Sequence, residues 1–220
     1  MKDLIIIGAG GLGRETAMTV ERINASLEER EWKIIGFMDD NLQIQGQRRD
    51  GYKIIGTTEE IKQYPDAYFI VAIGDSKIRR RIVKKIKIFA DVKFATIIDP
   101  AAVIDKRRVN IGEGSIICAN TYITLDIEMG EHIYIGANST IGHDARLGDY
   151  ATLYPGVNLA GITEIGAATE LGTGSQVIQK ISVGSNTVIG AGSTVVRNIP
   201  SNCTAVGSPA RVIKMNDKRL

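Results

Sequence analysis

The chain has 220 residues, 44 % of them hydrophobic and 24 % charged, and a formal net charge of +2. That length allows a buried core in one large domain or two small ones, and so small a charge argues against nucleic acid or an anionic membrane surface as a partner. The apolar start Leu4–Ile7 is too short for a membrane span or a secretory core, and Cys118 and Cys203 stand alone without a CxxC pattern; a cytoplasmic chain with reduced thiols and no cysteine-built zinc site is expected.

In chain order, short aliphatic runs at Asp3–Ile7, Lys33–Met38, Ala67–Ile73 and Val92–Ile98 predict strands. Between them Gly11–Leu27, Thr58–Tyr64 and Ser76–Phe89 predict helices, with Thr58 and Ser76 where N-caps belong. The basic run Ile78-Arg79-Arg80-Arg81 reads as the solvated face of the last helix. This alternation predicts a small Rossmann-like α/β unit with a mainly parallel sheet.

Gly8-Ala9-Gly10-Gly11-Leu12-Gly13 follows the first strand and opens the first helix, fitting GxGxxG in its proper context, and Asp39-Asp40 closes the second strand. Fewer than 100 residues hold only half of the sheet that normally binds a dinucleotide. A nucleotide-diphosphate sugar on the helix N-terminus is therefore expected rather than NAD. Asp99-Pro100 breaks the alternation and predicts a boundary between domains 1–98 and 99–220.

From Ile111 an aliphatic residue or Met recurs every six positions without a slip: Ile111, Ile117, Ile123, Met129, Ile135, Ile141, Leu147, Leu153, Leu159, Ile165, Leu171, Val177, Val183, Ile189 and Val195. Helices repeat every 3.6 residues and plain strands every two, so a strict hexad predicts a β-helix in which each hexad forms one flat side. Three hexads close a triangular coil, and about five coils are expected. Gly112, Gly130, Gly148, Gly166 and Gly184 then stack as one column, read as permissive backbone near a corner. Ser115, Thr121, Ser139, Thr163, Thr169, Ser175, Thr187 and Ser193, four places after their aliphatics, should fill the narrow corners.

His143 falls two places after Ile141, where a side chain leaves the prism. Asp144 beside it can support the imidazolium, and Gly161, one coil above, leaves room for a ligand and offers an N–H to a developing oxyanion. A base, a helper and a donor around one open spot suit acyl transfer to an amine without a covalent acyl-enzyme. His132 is read as a surface residue.

The hexads, with the Gly207-Ser208-Pro209-Ala210-Arg211 ending, resemble the hexapeptide-repeat acyltransferases over residues 100–213. The resemblance implies a left-handed parallel β-helix with a short C-terminal extension. The His143-Asp144 segment is similar to that of nucleotide-amino-sugar N-acetyltransferases and sialic-acid O-acetyltransferases, where His followed by Glu serves as general base. It implies acetyl-CoA as co-substrate along the outer wall, touching Thr173, Gly174, Ala191 and Gly192, with Arg211 and Lys214 near its phosphates. Thr152 occupies a cofactor-facing place that carries a second His in the resembling enzymes. It further implies that Gly10, Gly11, Asp39, Asp40 and Gly74 grip UDP, with Leu12 standing where those enzymes often have His.

The expected function is an acetyl-CoA-dependent N-acetyltransferase acting on a UDP-linked amino sugar in surface-glycan biosynthesis. Its expected assembly is a homotrimer with sites at subunit interfaces, because two adjacent walls make a cleft for a long cofactor and one wall does not. A sialic-acid or other small-acceptor O-acetyltransferase, and a non-enzymatic sugar-nucleotide-binding module, are the alternatives. A zinc anhydrase on this scaffold needs three histidines, and the chain has two; no metal is expected.

Overall fold

The computed structural model of the chain describes residues 1–89 and 91–216; residues 217–220 of the expected tail lie outside them. Contacts divide the chain into two compact units, residues 1–100 with 113–116, and residues 101–112 with 117 onward.

The first unit is a sheet of β1 (Lys2–Ile7), β2 (Trp32–Met38), β3 (Arg48–Arg49), β4 (Tyr52–Gly56), β5 (Tyr68–Val71) and β6 (Lys93–Phe94), in the order β3-β4-β2-β1-β5-β6. Every pairing is parallel except β3 with β4. Helices α1 (Gly11–Ala25) and α2 (Ser76–Phe89) are joined by short 3-10 turns at Leu42–Ile44 and Thr58–Gln63. Leu4–Ile7 on the central strand are almost wholly buried, as a parallel strand covered on both faces requires.

The predicted run Val92–Ile98 divides into two strands, Lys93–Phe94 and Ile97–Ile98, and the predicted helix at Thr58 is a 3-10 turn. The β3–β4 hairpin was not predicted. Its signal is Asp50-Gly51, both with positive φ (46° and 85°), as a tight hairpin turn demands. The cap of α2 lies one residue before the expected Ser76, where the Asp75 carboxylate accepts the Ile78 N–H at 2.8 Å.

The second unit is a prism of short parallel strands. One wall carries Tyr134–Ile135, Thr152–Leu153, Glu170–Leu171, Val188–Ile189 and Cys203–Val206, with Arg211–Met215 added antiparallel. The next holds Val103–Ile104, Tyr122–Ile123, Thr140–Ile141, Asn158–Leu159, Gln176–Val177 and Thr194–Val195. The third holds Val109–Ile111, Ile127–Met129, Arg146–Leu147, Glu164–Ile165 and Ser182–Val183. Partners in register are 18 residues apart, as in Thr140↔Asn158 and Asn158↔Gln176, so the hexad reading holds coil by coil.

The hexad aliphatics from Ile117 to Val195 are all buried, and the predicted corner serines and threonines are at most 1 % exposed. The corners themselves follow a rule that was not read from the sequence. Every sixth residue from Asn120 to Gly192 has φ between 52° and 73°. The predicted glycine column lies two places before these corners and serves another purpose. A Cβ on Gly148 would come within 2.6 Å of the Ala167 backbone nitrogen in the next coil. Those glycines let coils approach; they do not supply a left-handed turn.

His132 is a correction. It is 0 % exposed, and its ring stacks on that of Tyr150 at 5.3 Å and 9°. Arg79 is another, 1 % exposed instead of solvated.

Inward and outward positions should respond differently to truncation. Leu153→Ala, which removes a fully buried side chain, should cost about 2–5 kcal/mol. Gln176→Ala, outward and exposed on its wall, should stay within about 0.5 kcal/mol; denaturant titration of both variants checks the difference.

Candidate active site

His143 immediately precedes the corner between the walls carrying Thr140–Ile141 and Arg146–Leu147. The corner residue is Asp144, φ 59°, a conformation that Asp adopts more readily than most residues. There its Oδ2 lies 2.7 Å from His143 Nδ1, both side chains being about half exposed (54 % and 52 %). A carboxylate only accepts, so in the neutral ring Nδ1 carries the hydrogen and Nε2 is left with a lone pair.

Nε2 lies over Gly161. A methyl group built there would sit 2.5 Å from Nε2 and 2.7 Å from Cε1, so glycine is what admits the ring. The two coils are stitched beside it by the Ile162 N–H donating to the His143 carbonyl at 2.8 Å, and the Ala160 N–H donates to Val177 at 3.0 Å. Among the described residues no acceptor takes the intervening Gly161 N–H. A proton acceptor and a free backbone donor thus lie one coil apart at a single corner. That is the equipment for deprotonating a nucleophile and stabilising an oxyanion.

The opposite edge of the Thr140–Asn158–Gln176 wall is bare. Its corners at Gly156, Gly174 and Gly192 have φ of 73°, 69° and 66°. They are tied in a column by Gly174 N–H to the Pro155 carbonyl and Gly192 N–H to the Thr173 carbonyl, both 2.9 Å. A Cβ on Gly174 or Gly192 would meet nothing within 4 Å, and Thr173 and Ala191 beside them are exposed. Arg211 and Lys214 are exposed on the last strand. Thr152 is different. It is 0 % exposed within the chain, unlike the glycine corners.

In the first unit the C-terminal ends of β1, β2 and β5 bring the Gly-rich turn, Asp39-Asp40 and Gly74 together. Gly10 is the N-cap of α1 without a side-chain cap bond, and a Cβ on Gly10 or Gly11 would meet nothing within 4 Å. An open helix N-terminus of this kind accommodates phosphate. Leu12, half-buried in the first turn, adds no polar group.

The two aspartates frame this site. Asp39 accepts the Ala9 N–H and the Asn41 N–H, each at 2.9 Å, locking the glycine turn to the end of β2. Burial by itself would raise the Asp40 carboxyl, but the Thr58 N–H and hydroxyl, both 2.8 Å, and the Lys85 ammonium at 3.1 Å hold it below its ordinary value. Arg79 fixes the third loop by donating to the carbonyls of Ile73 (2.6 Å) and Gly74 (3.0 Å).

Beside α1 lies a cleft of about 440 Å³ lined by Gly11, Arg14, Met18, Glu21, Asp50 and Tyr52. There the Tyr52 hydroxyl donates to Glu21 at 2.6 Å, and burial followed by that carboxylate pushes the phenol up to about 12.

Residues 3–86 match the PglD N-terminal domain family. A UDP-N-acetylbacillosamine N-acetyltransferase from Bacillus subtilis is 34 % identical over 121 residues, 54 % of this chain and 52 % of that protein, so the chain spans about half the length of this curated relative. The acetyltransferase domain of PglB from Neisseria gonorrhoeae, solved in complex with acetyl coenzyme A, superimposes with a TM-score of 0.86 at 30 % identity, covering 96 % of this chain and 99 % of that one. PerB from Caulobacter crescentus, solved with CoA and GDP-perosamine, gives 0.85 at 27 % identity over 96 % and 97 % of the two chains.

Gly161→Ala should separate the site from the fold. The Gly161 φ lies outside the left-handed region, so alanine is tolerated by the backbone, but its methyl displaces the imidazole. Thiol release from an acyl thioester should fall about 100-fold, with the circular dichroism spectrum unchanged.

Proposed function

We propose that this chain, which belongs to the hexapeptide-repeat β-helix acyltransferase family, is an acetyl-CoA-dependent N-acetyltransferase whose acceptor is an amino sugar linked to UDP, in the making of a surface glycan. The observation that carries the reading is the His143–Asp144 pair at 2.7 Å with Nε2 seated over Gly161. The structures solved with acetyl coenzyme A or with CoA and GDP-perosamine, and the Bacillus subtilis relative named as a sugar N-acetyltransferase, support it.

In this mechanism Nε2 of His143 takes a proton from the acceptor nitrogen as that nitrogen bonds to the thioester carbonyl carbon. Asp144 holds the ring in the correct tautomer and stabilises the imidazolium that forms. The Gly161 N–H meets the oxyanion. The C–S bond then breaks, and the imidazolium returns its proton to the departing thiolate, leaving an amide and free CoA.

The Thr173-Gly174 and Ala191-Gly192 corners take the pantetheine arm, whose amides find bare backbone there, and Arg211 meets the phosphates. Gly10, Gly11 and Gly74 form the nucleotide-diphosphate cradle, with Leu12 beside it and Asp39 and Asp40 as its frame. Residues 1–98 thus hold the acceptor and residues 99–220 carry the transfer. No helix among the described residues is long and apolar enough to cross a membrane; an enzyme of the cytoplasm is what this reading implies.

The glycine corner and the His143 corner bound opposite edges of one wall, so the cofactor groove of one prism serves the base of a neighbour more directly than its own. A cyclic homotrimer with sites between subunits follows. Light scattering should return three times the chain mass at assay concentration, and a fully active monomer would remove the shared-site arrangement.

His143→Ala should fold normally, because the side chain is outward, and lose about 10²–10⁴-fold in acetyl transfer. Asp144→Asn should lose less. The measurement is thiol release with acetyl-CoA and a panel of UDP- and GDP-linked amino sugars and free sialic acid. Wild-type turnover in His143→Ala would end the mechanism, and activity confined to a hydroxyl acceptor would replace N- by O-acetylation.

A further inference from the structure

Charge in this chain is segregated. Helix α2 reads SKIRRRIVKKIKIF, and seven of its 14 residues are Lys or Arg while none is acidic. The whole chain bears only +2, so +7 on one helix is set against −5 elsewhere, an asymmetry that the net charge averages away.

The helix packs one face into its unit and leaves the other in water. Ser76, Arg79, Val83 and Ile86, spaced by three or four, are at most 1 % exposed. On the far side the same spacing gives Lys77, Arg81, Lys84 and Ile88, all exposed. This outer stripe is about 16 Å long at about 1.5 Å per residue.

The acids around α2 engage its flanks and not this stripe. Asp40 and Glu59 lie 3.1 and 3.9 Å from the Lys85 ammonium, and Glu113 lies 3.5 Å from that of Lys87. Asp75 is taken up by the Ile78 N–H as the cap, and Glu60, on the 3-10 turn packed against α2, turns its carboxylate over Gly56. Among the described residues Lys77, Arg80, Arg81 and Lys84 have no ion pair. Like charges one helical turn apart repel, an arrangement that an external anion relieves.

Ile88 decides which kind of anion. It is 82 % exposed, the highest value for any large apolar side chain among the described residues, and it ends the cationic stripe. A nucleic acid or an acidic peptide would meet the cations and leave this aliphatic group in water, and the stripe has no aromatic side chain on which a base could stack. A lipid surface satisfies both, since headgroup phosphates meet the cations and the acyl boundary beneath takes the apolar group.

We propose that the outer face of α2 docks this protein peripherally on an anionic membrane surface, with Lys77, Arg80, Arg81 and Lys84 at the phospholipid headgroups and Ile88 in the layer beneath them. Four cations in one patch are enough for lipid recognition of this kind. The attachment is reversible and needs no spanning helix.

The test is cosedimentation of the full chain with vesicles of phosphatidylcholine alone or with a third of the lipid replaced by phosphatidylglycerol. Wild type should partition about tenfold or more in favour of the anionic vesicles in about 0.1 M salt, and the preference should vanish in about 1 M salt, where the screening length falls from about 10 Å to about 3 Å. Arg81→Glu combined with Lys84→Glu should abolish the preference with an unchanged thermal melt, and Ile88→Ser should weaken binding about three- to tenfold. Equal partition of wild type onto both vesicles would overturn the proposal, as would wild-type binding by the double variant. Ile88→Ser binding like wild type, or a single-stranded oligonucleotide binding more tightly than the anionic vesicles, would assign the stripe to a soluble polyanion instead and so overturn it too.

Discussion

Everything in the second unit depends on the chain turning a corner every sixth residue through a conformation that L-amino acids avoid. A corner of this kind lets a two-residue strand end, change direction and begin the next wall without a loop, so the walls stay flat and their hydrogen bonds stay in register over 18 residues. Each side buries one hexad aliphatic and, four places on, a second residue that is most often small, which is where Ser and Thr recur fully buried, although Ile127, Ile133 and Val157 take the same place. Several of those hydroxyls bond nearby backbone, such as Thr169 to the Gly184 carbonyl at 2.6 Å and Thr121 to the Cys118 carbonyl at 2.7 Å. The geometry of the candidate site is a by-product of the same turn, since the left-handed conformation at residue 144 is what folds a carboxylate back onto the imidazole of its neighbour.

The prism was legible because its period is set by backbone geometry and repeated without insertion. What was illegible is equally physical. The glycine column is visible in the sequence but its cause is not, because a missing Cβ looks the same there whether it relieves φ or a clash. His132 occupies a corner and His143 precedes one, and only the coil above, which places Tyr150 against His132, decides that one ring is covered and the other open. Thr152 shows the limit of a resemblance, which transfers a position but not its burial.

In the first unit the strands were legible from aliphatic runs, whereas the short hairpin was not, since Arg48-Arg49 carries no apolar alternation. Arg79 looked like one of three equivalent cations, and helical phase alone sends it inward to clamp the Gly74 loop. The pair Asp39-Asp40 was legible as the end of β2 but not in its manner of acting, which is to accept backbone N–H groups of the glycine turn and of Thr58. Carboxylates committed in this way shape the loops around them and are poor candidates to contact an anion, with which they would share a sign of charge.

Stacking in register also makes the prism a ruler. Each coil advances the chain along the axis by one strand spacing, about 4.8 Å, and returns every side chain to the same bearing. Insertion of one whole coil between two stacked residues would change their separation by that step and leave their direction intact, whereas a single hexad would carry the downstream residue around to another wall. The distance along the axis from the His143 corner to the glycine corners at Gly174 and Gly192 is therefore adjustable only in discrete steps, and it can be lengthened without redesigning either end.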